Sequence, residues 1–83
     1  MLLEELQQAP KRCAGIKQVE KAIRRGTAVK VLVADDADER ITAGLVYLCK
    51  EANVEVAKVC CMYDLGKACG IHVNAAAAAI LKA

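Results

Sequence analysis

Two apolar periods run along this chain. Residues 15–26 read GIKQVEKAIRRG, a stretch bounded by glycines. Ile16, Val19 and Ile23 recur at helical spacing, with Lys17, Lys21, Arg24 and Arg25 on the other side. The spacing predicts a helix over 16–25, with Gly15 near its N-cap and Gly26 as a left-handed stop. AVKVLVA, residues 28–34, is instead a β-branched apolar run of strand length. It is too continuous for a strand wet on one face, which predicts a central strand covered on both sides. DDADE follows. Asp36 and Glu39 have capping-box spacing, and helix-dipole attraction favours acids there. The helix they open is predicted to run to about Glu51, burying Ile41, Leu45, Leu48, Cys49 and Ala52, with Asn53 as its stop. VEVAKVC, residues 54–60, is a second strand. Residues 62–69 form a short helix closed by Gly70, and IHVN is a loop.

The ends are less regular. MLLEELQQ is a short helix with Leu2, Leu3 and Leu6 on one side, and Ala9-Pro10 should end it. AAAAAILK reads two ways. Alanine propensity favours helix. A βαβα alternation, however, leaves a parallel sheet in need of another strand, and small alanines suit a strand between two helical layers. The alternation implies an α/β fold. No linker or repeat divides the chain, so residues 1–83 are expected to form one domain.

Composition sharpens this picture. At 83 residues the core is limited, since a domain this size buries only roughly 60% of its unfolded surface. With 57% hydrophobic residues, two Tyr, no Phe and no Trp, that core must be aliphatic. Five cysteines (Cys13, Cys49, Cys60, Cys61 and Cys69) include no CxxC. MLLEELQQ turns polar too soon for a signal peptide. No apolar run approaches the ~20 residues of a membrane span. A reducing cytoplasm with free thiols is the expectation, each cysteine acting as a small buried hydrophobe.

Little catalytic chemistry is present. The chain has no serine, which excludes a Ser-His-Asp triad. Its one histidine, His72, lies three residues past Cys69, without a defined pairing geometry. Cys60-Cys61 and the lone cysteines lack zinc-ligand spacing, so no metal or other cofactor is expected. Helix capping accounts for Asp35, Asp36, Asp38 and Glu39. LGKACG lacks the spacing of a phosphate loop.

The basic helix remains. Net charge is only +2, yet seven cations fall within residues 11–30. Lys17, Lys21 and Arg24 share one face, and Gln18, Lys21 and Arg25 an overlapping one. Periodicity alone describes a solvated basic surface. That face begins beside a glycine at a helix N-terminus, where free N–H groups favour an anion. Gln18 both donates and accepts, so it could read a base edge while lysines hold phosphates.

Gly15-Ile16-Lys17-Gln18-x-x-Lys21, Arg25-Gly26, Ala34-x-Asp36-x-Asp38 and Leu65-Gly66-Lys67-Ala68-Cys69-Gly70-Ile71-x-Val73 together resemble the ribosomal L-seven-Ae/L-thirty-e family, most closely its short bacterial branch. The likeness covers about residues 10–82. It implies a three-layer α/β/α sandwich around a four-stranded mixed sheet, with the alanine-rich segment a strand over about Ala76–Leu81. It also implies binding to kink-turn RNA, in which a bulge bends a duplex beside tandem sheared G·A pairs. A regular RNA duplex hides its major groove; the kink opens it. By this resemblance the Gly15 backbone approaches the RNA, Lys17, Gln18 and Lys21 read guanines, and Lys67 meets phosphate; Ile16 beside the glycine and Arg24 on the basic face are counted with them, Arg24 as a charge contact. Ile71, His72, Val73, Asn74 and Ala75 would cover the extruded nucleotide. Cys61 stands where the family usually has a serine N-cap, which is expected to cost ~1 kcal/mol.

The expected function is therefore non-catalytic: binding and stabilising kink-turn RNA, ribosomal or other non-coding, by a ribosome-associated monomer. A protein-binding adaptor on the same fold, docking through the apolar Ile71–Val73 loop, is the alternative. A thiol enzyme or redox sensor is a third.

Overall fold

Gly26 and Asn53 each stop a helix by turning left-handed, at φ 74° and φ 57°. These stops separate helices from strands in a computed structural model that describes residues 2–71 and 74–82, and of Leu2 and Leu3 only the backbone. Four helices and four strands alternate: α1 Leu2–Gln8, β1 Arg12–Ala14, α2 Ile16–Arg25, β2 Ala28–Ala34, α3 Glu39–Ala52, β3 Glu55–Val59, α4 Met62–Ala68 and β4 Ala77–Leu81. The sheet order is β1-β4-β2-β3. β2 pairs parallel with β3 and antiparallel with β4, and β4 pairs antiparallel with β1. The sheet is mixed, as the family resemblance implied.

Alternation along the strands sends side chains to two cores. Val31, Val33, Ala77 and Ala79 meet Val19, Ala22 and Ile23 of α2 and Leu45 and Cys49 of α3. Leu32, Ala34, Val59 and Ala78 meet Leu6 of α1 and Leu65 and Ala68 of α4. The result is the three-layer α/β/α sandwich. It also decides the alanine-rich segment. Ala77, Ala78 and Ala79 are fully buried, so only a small side chain fits on either face of β4. Burial between two layers overrides alanine's helical propensity.

β2 is central, between β4 and β3. Its last four residues are buried, but Val29 is exposed, so the covering on both sides begins only at Val31. Lys30 is held at the layer's margin by Glu5 (3.2 Å) and Glu55 (3.0 Å).

Three further expectations need correction. Ile41 is 51% exposed and Ala52 is exposed; Thr42 takes the inward position with Leu45 and Cys49. Its hydroxyl donates to the Asp38 carbonyl (3.4 Å), which satisfies its one polar group and lets its methyl face the core. The capping box does not form either. Asp38 is the N-cap of α3, accepting from the Arg40 backbone N–H at 2.9 Å. Asp36 instead accepts from Met62 N–H at 2.8 Å, the first residue of α4. The cysteines are not uniformly buried: Cys49 is, Cys13, Cys61 and Cys69 are half-buried, and Cys60 is exposed.

Candidate nucleic-acid interface

In a sheet with these connections, helices start where strands end. α2 follows β1, α3 follows β2 and α4 follows β3, so three helix N-termini gather at one end of the sheet. Each carries N–H groups without intrahelical acceptors. Asp38 serves α3 and Asp36 serves α4. α2 differs. Its N-cap is Gly15, no side chain among the described residues caps it, and its first turn holds no acid. Gly15 adopts φ 98° and ψ 148°, a conformation essentially reserved for glycine. Among the described residues nothing beyond its chain neighbours lies within 4 Å of where its Cβ would stand, so they leave the approach to the α2 N-terminus open.

Around that opening Lys17, Gln18 and Lys21 are exposed, while Ile16 packs half-buried against the core. Three of the carboxylates sharing this end of the sheet are engaged elsewhere. Asp38 pairs with Arg40 (2.9 Å), Asp36 caps α4, and Asp35 lies 3.9 Å from Lys58. The Asp38 carboxyl is held below its ordinary value by hydrogen bonds from the Arg40 side chain and then its backbone. Among the described residues, Lys17 and Lys21 form no ion pair. Arg24, further along the same face, is bound to Glu20 at 3.2 Å.

The 71–75 segment ends at the same place. Its start is fixed by Gly70 N–H to the Lys67 carbonyl (3.0 Å) and Ile71 N–H to the Gly66 carbonyl (3.2 Å). Its end is fixed by Ala75 N–H to the Met62 carbonyl (3.1 Å). Ala76 accepts from Ala34 N–H (3.0 Å), and Ala77 accepts from Gly15 N–H (2.9 Å). The base of the loop thus adjoins the α2 N-terminus. Ile71 is 38% exposed and Asn74 is exposed, but Ala75 is 3% exposed and its methyl belongs to the core. His72 and Val73 lie outside the described residues. Lys67 is exposed on α4, one turn before Ile71.

One feature extends the surface beyond the expected residues. Gln18, Lys21 and Arg25 line a shallow cavity of about 120 Å³ with Cys13, Ala22, Thr27 and Leu81. Arg25 stands on the stripe it shares with Gln18 and Lys21 at helical spacing, so periodicity carried that signal. Arg12 had no such signal. Its guanidinium donates to the Gln7 and Ala9 carbonyls at 3.2 Å and ties the end of α1 to the start of β1.

The chain matches the model of the Ribosomal protein L7Ae/L30e/S12e/Gadd45 family over residues 2–83. It belongs to that family. A protein named RNA-binding protein YbxF, from Geobacillus stearothermophilus, is 48% identical over 82 residues, covering 99% of this chain and 100% of that one. An RNA-binding protein of Caldanaerobacter subterraneus is 37% identical over 70 residues, 84% of this chain and 85% of its own. Among solved structures, the Giardia lamblia 15.5kD RNA binding protein superposes with a TM-score of 0.88 at 30% identity. The match covers 99% of this chain and 72% of that one.

Proposed function

We propose that this family member binds RNA through the α2 N-terminus and, within RNA, recognises the kink-turn. The observation that carries the reading is the uncapped α2 N-terminus, ringed by exposed Lys17, Gln18 and Lys21 and adjoining the base of the 71–75 loop. Free N–H groups and lysines suit phosphate, and the Gln18 amide suits a base edge. The RNA-binding relatives support the macromolecule. Sheared G·A pairs in a kinked duplex present guanine edges that a regular A-form groove withholds. Glycine at the point of approach lets the backbone come close, and Ile71 and Asn74 stand ready to cover a base extruded at the bend. The protein performs no reaction. It selects the bent conformer from a mixture of bent and extended RNA. The partner is a structured RNA, ribosomal or other non-coding, met in the cytoplasm by a monomer. Among the described residues no helix is long and apolar enough to cross a membrane.

The test is a titration at stated salt against a short kink-turn RNA and against the same RNA with its G·A pairs made Watson–Crick. Tight binding to the first and roughly a hundredfold loss on the second, about 2.7 kcal/mol, is the expected result. Equal weak binding to both would mean that α2 senses only phosphate.

A further inference from the structure

Cys61 and Asp64 occupy the N-cap and third positions of α4. These are the capping-box positions, whose side chains turn toward one another. Here they carry metal-ligating groups instead of the usual hydroxyl and glutamate. Cys60 precedes them in an extended turn, with Cys61 at φ −156° and ψ 161°. As a result the Cys60 and Cys61 sulfurs and the Asp64 carboxylate all lie within 4.8 Å of one another. Among the described residues no other three such groups converge in this way.

None of these groups has other work. Cys61 makes no cap hydrogen bond, and the first amide of α4 is served by Asp36 from another loop. Asp64 has no ion pair or hydrogen bond among the described residues. Cys60 is exposed, although cysteine is among the residues most often buried. Both sulfurs stand apart as free thiols.

From this we infer that Cys60, Cys61 and Asp64 form a binding site for a thiophilic divalent cation of the zinc class, with two thiolates and one carboxylate as ligands. Zinc takes tetrahedral sulfur and oxygen donors at about 2.3 Å and 2.0–2.2 Å, which sets neighbouring sulfurs about 3.8 Å apart. The remaining distance must close by side-chain rotation, for which the exposed Cys60 has room. Each thiol gives its proton to solvent as it ligates. The fourth position is left to water or an external ligand. Calcium and magnesium are disfavoured, as they require oxygen-rich shells. An iron–sulfur cluster would need more cysteines than gather here. Helix geometry brings the ligands together without a CxxC pattern, which is why the spacing of the cysteines did not announce the site.

The test titrates the reduced full chain with zinc against a chromophoric chelator, then with cobalt to read coordination from visible absorption. One ion per chain is expected, with the intense visible bands of a tetrahedral thiolate cobalt site. Cys60→Ser and Asp64→Asn should each weaken zinc by at least about tenfold, and Cys13→Ser should leave it unchanged. Circular dichroism of each metal-free variant confirms its fold. Absence of zinc uptake by the wild type would overturn the inference. So would unchanged affinity in folded Cys60→Ser or Asp64→Asn, the latter because a thiol-only site has no use for the carboxylate.

Discussion

Asp36 caps a helix that begins 26 residues later: its carboxylate accepts the Met62 N–H at 2.8 Å. Cys61 makes no cap hydrogen bond of its own, and the β2–α3 turn reaches across to satisfy a different orphan donor, the first amide of α4. Asp36→Ala should destabilise the protein by ~1 kcal/mol, read as a lower urea midpoint with an unchanged slope. Asp35→Ala, which loses only a 3.9 Å surface contact with Lys58, should change stability by less than about 0.5 kcal/mol. Equal effects from the two substitutions would remove Asp36 from its capping role.

Asp38 gives a pH dependence of known sign. Arg40 lowers the Asp38 carboxyl below its ordinary 3.8 in the folded chain. Stability from a depressed acid is present above the unfolded value and lost as pH falls through the folded one. The loss therefore begins near 3.8 and continues below it. Asp38→Asn keeps an oxygen for the Arg40 N–H but removes the charge. Its unfolding midpoint should fall less steeply over that acid range than that of the wild type. Parallel curves would mean that the ion pair contributes nothing to folding.

Gly15→Ala isolates backbone strain. Among the described residues no atom beyond the chain neighbours lies within 4 Å of the added Cβ, so their packing is untouched. The φ of 98° is costly for any other residue. A loss of ~1–3 kcal/mol is expected in denaturant unfolding. A neutral result would show that the β1–α2 junction relaxes to another conformation.

The thiols should separate by exposure. Burial pushes the Cys13, Cys49 and Cys69 thiols above their ordinary 9.0. Thiolate is the reactive form, so each is slower than a free thiol at neutral pH. Mass spectrometry after brief alkylation should find Cys60 modified first and Cys49 last, the latter at the rate of global opening. Rapid labelling of Cys13 or Cys69 would instead revive the expectation of a redox-active thiol.

Much of the fold was legible because long periodic segments carry their own signal. The 16–25 helix, with Gly26 behind it, and the 28–34 strand both stand where apolar spacing put them. β1 was not legible. Three residues, Arg12–Ala14, show no alternation, and they become a strand only because β4 offers Cys13 a partner at Ala79. β4 itself could not be settled from alanines, whose local preference opposes the buried setting that the other elements create. Thr42 and Ile41 exchanged places because a back-bond to Asp38, invisible in hydropathy, satisfies the threonine. At the candidate interface, the Gln18–Lys21–Arg25 stripe was readable from spacing. That Asp36 and Asp38 cap α4 and α3 while α2 remains open was not, since it depends on where the turns fold.

The open α2 N-terminus leads to the last prediction. Gln18→Ala and Lys21→Ala should each weaken kink-turn binding by ~1–3 kcal/mol through lost base contacts. Both side chains are exposed, so the unfolding midpoint should hardly move. Arg24→Ala should act differently. Arg24 is already paired with Glu20 and lies about 10 Å along the helix from Lys17. A phosphate contact there would show as a shallower dependence of affinity on salt, with little change in preference for the G·A pairs. Measuring each variant at two salt concentrations on both RNAs separates the two roles. If Gln18→Ala and Lys21→Ala discriminate the RNAs as well as the wild type does, then α2 contributes charge alone and the reading of bases must lie elsewhere on the surface.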